Sequence, residues 1–255
     1  MIHPTLPFLA ILLTACATQQ PTQPPHLPPN PQTNLLKNNS FESPAQDPWY
    51  DFSIKSKSWL PFTISNSVAH TGSNAAHLHM DSADQQPQTT AIHGVVQTIT
   101  TKDKSLPAYI SGHYKVTSWT RSTKNQYLQL VFMAAKPSNK PTSTNYPTYQ
   151  LAIPLAGITE PPFNMGNRKF AFNDSSLPPQ EPPQDHWVFF EYNLKDLYQE
   201  HWNFIPENST EFHAFFEVRY DNRDPESDQP ATAEVYFDTL YIGPDSRTPT
   251  PTPAD

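Results

Sequence analysis

The stretch AEVYFDTLYIG, residues 233–243, decides the fold of this chain. Its β-branched and aromatic residues, closed by Gly-Pro, predict a strand. The apolar positions change phase part-way along, from Val235 and Phe237 to Leu240 and Ile242. Because side chains alternate with a period of two, one residue must bulge out, and the slip falls at Asp238-Thr239. A carboxylate at a bulge inside an apolar strand needs a partner, since a buried unpaired charge is costly.

The length of the chain is sufficient for one large β domain or two small ones. The chain has 255 residues, and its 30 prolines far outnumber its 6 glycines, which disfavours a helical bundle and suits short strands joined by extended loops. The formal net charge of −8 excludes a basic face for nucleic acid, so no nucleic-acid partner is expected.

The N-terminus predicts export. Residues 6–15 form an apolar run of signal-peptide length that is too short to span a bilayer. It ends in Leu13-Thr14-Ala15-Cys16, and this resembles the lipobox of bacterial lipoproteins. The resemblance implies cleavage before Cys16, acylation of that cysteine and a lipid anchor in the membrane. Ala17 resembles an outer-membrane sorting signal, whereas residues 1–5 lack the usual Lys or Arg. A plain secretory signal is the alternative.

Four segments follow from this pattern. Residues 1–15 are the signal peptide, and residues 16–33, rich in Gln, Thr and Pro, are a solvated tether. Residues 34–243 are the folded domain, and residues 244–255 are a disordered Thr/Pro tail. Cys16 is the only cysteine, so no disulfide supports the fold.

Alternating apolar residues predict further strands inside the domain. They fall at residues 34–36, 62–64, 75–80, 93–100, 108–119, 126–135, 149–155, 168–172, 187–192 and 212–220. Gly112 is expected to bend or bulge its strand. Asn193 is expected to cap the one helix, whose aromatic stripe indicates core packing. The Pro-rich segment 157–185 is a long connection of the kind that forms functional rims or insertions.

Five pieces of sequence, in order, resemble the galactose-binding-like β-jelly-roll family, in particular carbohydrate-binding modules of the family 4, 9 and 22 kind. They are the opening NLL and NNSFE (34–36 and 38–42), HTGSNAA (70–76), GVVQTI (94–99), YISGHYKV (109–116) and VYFDTL (235–240). The resemblance covers most of residues 34–243. It implies an all-β jelly-roll sandwich with one short helix and long Pro-rich loops, and a non-catalytic carbohydrate-binding role.

The same resemblance implies a structural calcium ion. In such modules an acid of the opening motif and an Asp of the last strand meet at Ca²⁺, with oxygens from the intervening turn. By position these are Glu42, Asp238 and the turn that ends at Asn74. Carboxylates are suitable ligands, because Ca²⁺ prefers several hard oxygens. Thr239 departs from the pattern, where relatives often carry a second Asp. The alternative is that Glu42 and Asp238 are merely hydrogen-bonded acids.

Sugar binding in these modules uses aromatic rings for stacking and amide, acid or guanidinium groups for hydroxyls. The sequence offers six residues for this role: Trp119, Tyr127, Gln129, Tyr149, Arg219 and Tyr220. The pattern does not decide which face of the sheet is concave, and for each aromatic residue taken singly a place in the core is favoured over a place in the ligand site.

Catalytic patterns are absent from the sequence. It contains no Gly-x-Ser-x-Gly elbow, no His-Glu-x-x-His helix and no phosphate loop. His77 and His79 share a strand face without a third ligand at a telling spacing, which indicates a polar surface. Four acids, Glu160, Glu181, Asp185 and Glu191, are available for a glycosidase but carry no pattern. The two resemblances together imply a glycan-binding envelope lipoprotein, with a protein-binding or structural lipoprotein and a glycan-degrading enzyme as alternatives.

Overall fold

The computed structural model describes residues 26–43, 47–50, 59–83, 90–120, 126–135, 148–157, 169–172, 181–209, 211–220 and 230–249. Within these ranges, the side chains of residues 59–60, 126–131, 133–135, 148 and 169–172 are outside the description. The strands are β1 Trp59–Leu60, β2 Thr63–Ser65, β3 Ala75–Asp81, β4 Ala91–Ile99, β5 Tyr109–Thr120, β6 Gln126–Ala135, β7 Thr148–Ala156, β8 Lys169–Phe172, β9 Trp187–Asn193, β10 Glu211–Tyr220 and β11 Thr232–Gly243. The helix α1, Leu194–Trp202, lies between β9 and β10.

Two sheets make up the sandwich. Sheet A has six strands in the order β1-β4-β10-β6-β7-β8, and sheet B has five in the order β2-β3-β11-β5-β9. The chain passes repeatedly from one sheet to the other, as in a jelly roll, and β11 lies in the middle of sheet B between β3 and β5. The predicted all-β sandwich with one short helix is confirmed.

The core lies between the two sheets and follows the period-two pattern of the strands. In β10 the even-numbered residues from Phe212 to Tyr220 belong to it, and Phe216 packs on Phe237 of β11 with ring centroids 5.4 Å apart. Helix α1 closes one side of the core with Leu194, Leu197 and Tyr198.

The helix begins where the sequence predicts. The Asn193 side chain accepts hydrogen bonds from the backbone N–H groups of Lys195 and Asp196, and so satisfies free donors of the first turn. Among the described residues, no helix has the length and apolar character that crossing a bilayer requires.

The phase slip in β11 is confirmed. Its pairing with β5 shifts register between Asp238 and Tyr241, and Thr239 takes a left-handed conformation with φ of 50°. This bulge turns the apolar residues on both sides of it into the core, so that Phe237 and Leu240 are both fully buried.

Gly112 lies opposite the bulge of β11, because its neighbours His113 and Ser111 pair with Asp238 and Tyr241 on the two sides of the register shift. It pairs regularly with Phe190 of β9. A Cβ at this position would lie 2.5 Å from Leu240 Cδ2 and 2.9 Å from Phe190 Cζ. The glycine is also needed because two side chains approach its backbone closely.

The folded domain extends beyond residues 34–243 at both ends. Residues 26–33 and 244–249, which we call the terminal clasp, pack together against sheet B. Two hydrogen bonds of 2.9 Å join Leu27 and Arg247. The backbone N–H of Leu27 donates to the carbonyl of Arg247, and the Arg247 side chain donates from Nε to the carbonyl of Leu27. Arg247 also donates from Nη1 to the carbonyl of Thr239 at 2.8 Å and is only 4% exposed. The predicted tether and tail are thus partly ordered, because this one buried guanidinium ties them to β11.

Candidate functional site

The candidate site lies on the side of sheet A that faces away from the core. Since the even-numbered residues of β10 are in the core, the odd-numbered ones lie on this opposite side, which we call the outer face of sheet A. They are Glu211, His213, Phe215, Glu217 and Arg219.

Glu217 and Arg219 form a shielded ion pair on the outer face of sheet A. Arg219 Nη1 lies 3.8 Å from Glu217 Oε1, and the two side chains are 20% and 5% exposed respectively. Ion pairs removed from water contribute little net stability, because desolvation offsets the attraction. Their chemistry suits recognition, since the guanidinium supplies several donors and the carboxylate several acceptors on one surface.

The register of the sheet brings three of the predicted ligand residues together. Tyr127 is the pairing partner of Arg219, and Gln129 is the partner of Glu217. Residues directly opposite each other in an antiparallel pair share a face. The side chains of Tyr127 and Gln129 lie outside the described part of the structure.

Of the other three predicted ligand residues, Tyr220 and Trp119 belong to the core, which corrects their assignment, whereas Tyr149 is partly buried and its role stays a prediction. Tyr220 is fully buried, Trp119 is 9% exposed, and Tyr149 packs against the core beside Trp202 of α1. The reason lies in the alternation: Tyr220 has the same parity as Phe216 and Val218, so it faces the core that they form. Arg219 has the opposite parity and reaches the outer face.

Sequence reasoning missed a polar chain at the other end of the outer face of sheet A. The hydroxyls of Tyr50 and Thr98 are 2.6 Å apart, and Thr98 Oγ1 lies 3.2 Å from His213 Nδ1. His213 Nε2 is 3.7 Å from Glu211 Oε2. Burial lowers the pKa of His213, while the charge of Glu211 acts in the opposite direction. Tyr50 lies outside the strands and joins the sheet by a single bridge to Val96, so no alternation pattern could have indicated it.

The Asp238 carboxylate accepts hydrogen bonds from backbone N–H groups, two of which belong to the turn at residues 70–74. Asp238 Oδ2 accepts hydrogen bonds from the N–H groups of His70 at 2.7 Å and Thr71 at 2.9 Å. Its Oδ1 accepts one from Thr239 N at 2.5 Å. Burial raises the pKa of Asp238 to about 6, against the lowering effect of these donors.

Glu42 reaches the same turn from the other side. Its Oε1 accepts from Ser73 N at 2.9 Å and from Asn74 N at 3.0 Å. Gly72 lies beneath this carboxylate with φ of +68°, a conformation that favours glycine. The sequence therefore places Glu42, Asp238 and Asn74 correctly around one turn, and the two acids are linked through its N–H groups.

A calcium ion at this turn would need several oxygen ligands around one point. The turn presents N–H groups to both carboxylates, and N–H groups do not ligate a cation. Across the described ranges, no group of three or more His, Cys, Asp or Glu side chains is placed to hold a metal ion. Calcium at Glu42, Asp238 and Asn74 stays a prediction for experiment.

The His26 ring of the terminal clasp packs on sheet B beside the rings of His70 and His113. His70 stacks on His113 with centroids 3.6 Å apart, and His26 stacks on Phe189 at the same distance. Burial, helped by the neighbouring charges of His70 and Arg247, lowers the pKa of His113 to about 3. Stacked neutral rings are packing elements, and they seat residues 26–33 on the sheet.

Three further residues singled out in the sequence, His77, His79 and Glu191, contact other side chains or backbone groups of the fold, and two others lie outside the described residues. His77 stacks on Tyr236 at 4.7 Å, and His79 lies 3.7 Å from Glu234. Glu191 accepts hydrogen bonds from Arg247 N and Thr248 N in the terminal clasp. Cys16 and Glu160 fall outside the described residues.

Comparisons with known proteins are as follows. No protein-family model matches the sequence, and no curated protein matches it. Among solved structures, the chain is similar to TmCBM61 in complex with β-1,4-galactotriose, at 10% identity and a TM-score of 0.41, covering 83% of this chain and 99% of that one. It is similar to CBM28, a carbohydrate-binding module specific for non-crystalline cellulose, at 11% identity and a TM-score of 0.41, covering 87% of this chain and 99% of that one.

A third similar structure is the enzymatically active domain of tailspike protein 4 of bacteriophage CBA120, at 11% identity and a TM-score of 0.38. That match covers 84% of this chain, which spans 22% of the tailspike chain. The assignment of the jelly-roll sandwich rests on the strand order and register of this chain itself.

Proposed function

We propose that the chain is a non-catalytic carbohydrate-binding protein whose ligand lies on the outer face of sheet A. The observation that carries the proposal is the Glu217–Arg219 pair, which is shielded from water yet directed away from the core. Arg219 keeps a fifth of its side chain exposed on this side of the sheet, so its N–H donors are available to a ligand.

The chemistry of a sugar matches this surface. Each hydroxyl both donates and accepts hydrogen bonds, so a site needs fixed donors and fixed acceptors side by side. Arg219 and Glu217 supply these two roles, and a salt bridge between them holds their geometry before a ligand arrives.

A binding experiment tests the proposal. The full chain carrying Cys16→Ser, which cannot be acylated, is screened on a glycan array, and hits are measured by calorimetry. Arg219→Ala removes donors from the charged side chain, and such bonds contribute about 1.5–3 kcal/mol, so affinity should fall roughly tenfold to a hundredfold. His79→Ala, an exposed change on sheet B, is the matched control and should bind normally.

If the full chain carrying Cys16→Ser binds no glycan on the array, the proposal is rejected. A protein or envelope component recovered by pulldown would then favour the structural or protein-binding alternative. Release of reducing sugar from a bound polysaccharide would favour the enzyme, and Glu181 and Asp185 would be the first residues to replace.

The proposal includes display on a bacterial cell envelope. The lipobox-like Leu13-Thr14-Ala15-Cys16 supports a lipid anchor, and Ala17 supports an outer-membrane location. Cys16→Ser should move the protein from the membrane fraction to the soluble fraction. Retention of the variant in the membrane would contradict acylation at this residue.

A further inference from the structure

A surface cavity lies between the segment that leads from the terminal clasp into the domain and the end of β4. Its volume is about 330 Å³, in the lower part of the range of small-ligand sites. Three apolar residues, Leu35, Pro48 and Ile99, form part of its wall, and the other residues that line it are polar or charged. The cavity therefore combines apolar surface with hydrogen-bonding groups, as sites for small polar molecules do.

Three polar residues of the wall serve the fold itself. The Gln97 side chain accepts from Lys37 N at 2.8 Å and donates to Lys37 O at 3.0 Å. Both polar groups of the Asn34 side chain bond to the backbone of β11. The Thr33 hydroxyl donates to Asp245 Oδ2 at 2.6 Å. These bonds hold the surrounding backbone in place, so the shape of the cavity is formed before a ligand arrives.

Lys37 is the only charged residue among those that line the cavity, and it is exposed. In the described part of the chain, no acidic side chain forms an ion pair with its ammonium group. One cation matches a carboxylate, which carries a single negative charge. A phosphate monoester carries about −1.5 to −2 at pH 7 and would be left partly uncompensated here.

Two threonine hydroxyls accompany this cation. Thr98 and Thr100, at the end of β4, both line the cavity and are both exposed. The Thr98 Oγ1 atom lies 2.6 Å from the Tyr50 hydroxyl and 3.2 Å from His213 Nδ1, and these contacts fix its direction. Because a hydroxyl both donates and accepts, it can pair with the hydroxyls of a sugar ring. The lining therefore suits a molecule that carries one carboxylate and several hydroxyl groups.

We propose that this cavity binds a sugar acid, with its carboxylate on Lys37 and its hydroxyls on Thr98 and Thr100. The C–H groups of the sugar ring lie against the apolar part of the wall. The sugar acid is either a free monosaccharide or one acidic residue of a polysaccharide, since the chemistry at the cavity is the same for both. The inference does not rest on the ligand site proposed at Arg219.

An NMR titration of the ¹⁵N-labelled full chain carrying Cys16→Ser tests the proposal. The probes are galacturonate, its neutral counterpart galactose, and polygalacturonate. Galacturonate should shift the amide signals of Lys37 and of residues 97–100, and it should bind at least about twofold more tightly than galactose. Added salt should weaken galacturonate and leave galactose unchanged, because ions screen only charged groups.

The polymer distinguishes the two sources of the ligand. A higher affinity for polygalacturonate, counted per acidic residue, assigns the cavity to an acidic polysaccharide. An equal or lower affinity assigns it to the free acid. Either result supports the proposal, provided that the shifted signals belong to the cavity.

Variants test the part that each side chain plays. Lys37→Gln should weaken galacturonate by about twofold to fivefold, the loss expected for an ion pair at an exposed ammonium group, and should leave galactose unaffected. Thr100→Val keeps the shape and removes the hydroxyl, so it should weaken both monosaccharides. Lys195→Gln, the same change at an exposed lysine of α1, is the matched control and should bind normally. Unchanged melting midpoints verify that the variants are folded.

Three results would overturn the inference: no shift of cavity signals with either acidic probe, equal affinity for galacturonate and galactose, or full affinity of Lys37→Gln for galacturonate. If Lys37→Gln does not fold, the salt series decides, and galacturonate binding that is independent of salt overturns the inference. Arg219→Ala separates this proposal from the proposed function, because it should leave galacturonate binding unchanged. A chain that binds galacturonate in the cavity but retains no glycan on the array would reject the proposed function alone.

Discussion

Replacing Gly72 by Ala tests how the turn at residues 70–74 holds the first and last parts of the domain together. A Cβ at Gly72 would overlap Oε1 of Glu42 and lie 2.6 Å from its Cδ. The carboxylate would have to leave its position above the turn. It would then give up the hydrogen bonds from Ser73 N and Asn74 N.

Two terms add up in the expected loss of stability. A non-glycine residue at φ of +68° costs about 1–2 kcal/mol. The two lost hydrogen bonds at an exposed carboxylate contribute about 0.5–1 kcal/mol each. The free energy of unfolding should therefore fall by about 2–4 kcal/mol.

A double-mutant cycle in urea separates these two terms. In a Glu42→Ala background the overlap is gone, so Gly72→Ala should cost only the backbone term of about 1–2 kcal/mol. A coupling energy of about 1–2 kcal/mol between the two sites is expected. Equal losses in both backgrounds would refute the reasoning, because the Glu42 carboxylate would then have no part in the effect.

Three further predictions concern the ion, the acid response and the terminal clasp. Millimolar Ca²⁺ should raise the melting midpoint and a chelator should lower it if Glu42 and Asp238 bind the ion; no shift rejects calcium. Stability should fall as the pH drops from 6.5 towards 3, because the pKa of His113 is held at about 3 and the unfolded chain binds its proton first. Asp238 has a pKa of about 6 in the folded state, so below pH 6 the folded chain binds this proton before the unfolded chain does, which favours folding. Asp238→Asn removes this contribution and should make the melting midpoint fall more steeply with decreasing pH. A flatter profile would contradict these assignments. Arg247→Ala should lower the unfolding free energy in urea by about 2–4 kcal/mol, since it removes charge-assisted bonds to two carbonyls, whereas the exposed Lys195→Ala should change little.

The period-two pattern made most of the sandwich predictable. Strand β10 was predicted at residues 212–220 and spans Glu211–Tyr220, and β11 was predicted with its phase slip. The Asn193 cap located the helix. These features are local, because alternation, capping and bulging depend on near neighbours in the chain.

Features that depend on the arrangement of distant strands were less accessible. The pattern showed that β10 has an apolar and a polar face, but it did not assign Tyr220 to the core side until the opposite sheet was in place. The acids Glu42 and Asp238 were linked correctly to the turn at residues 70–74, yet as acceptors of its N–H groups. Whether a turn offers N–H groups or carbonyls depends on its backbone conformation, which composition does not reveal.

Residues 26–33 and 244–249 were misjudged for a different reason. Proline-rich composition argues against a regular element, but it does not argue against docking of an irregular one. The docking could have been inferred from Arg247, which is the one Lys or Arg among residues 244–255. A single basic residue does not form a solvated run of charges, and a contact with the folded domain is the alternative.

The terminal clasp also bears on how this protein should be produced in the laboratory. A fragment trimmed to residues 34–243 would uncover the Phe189 ring and leave the Thr239 carbonyl without its guanidinium donor. Such a fragment would present a bare aromatic patch and a weakened sheet to neighbouring molecules, and we expect it to self-associate on concentration. Recombinant versions that retain residues 26–249 keep that surface covered and are the better starting material for crystallisation and for ligand measurements.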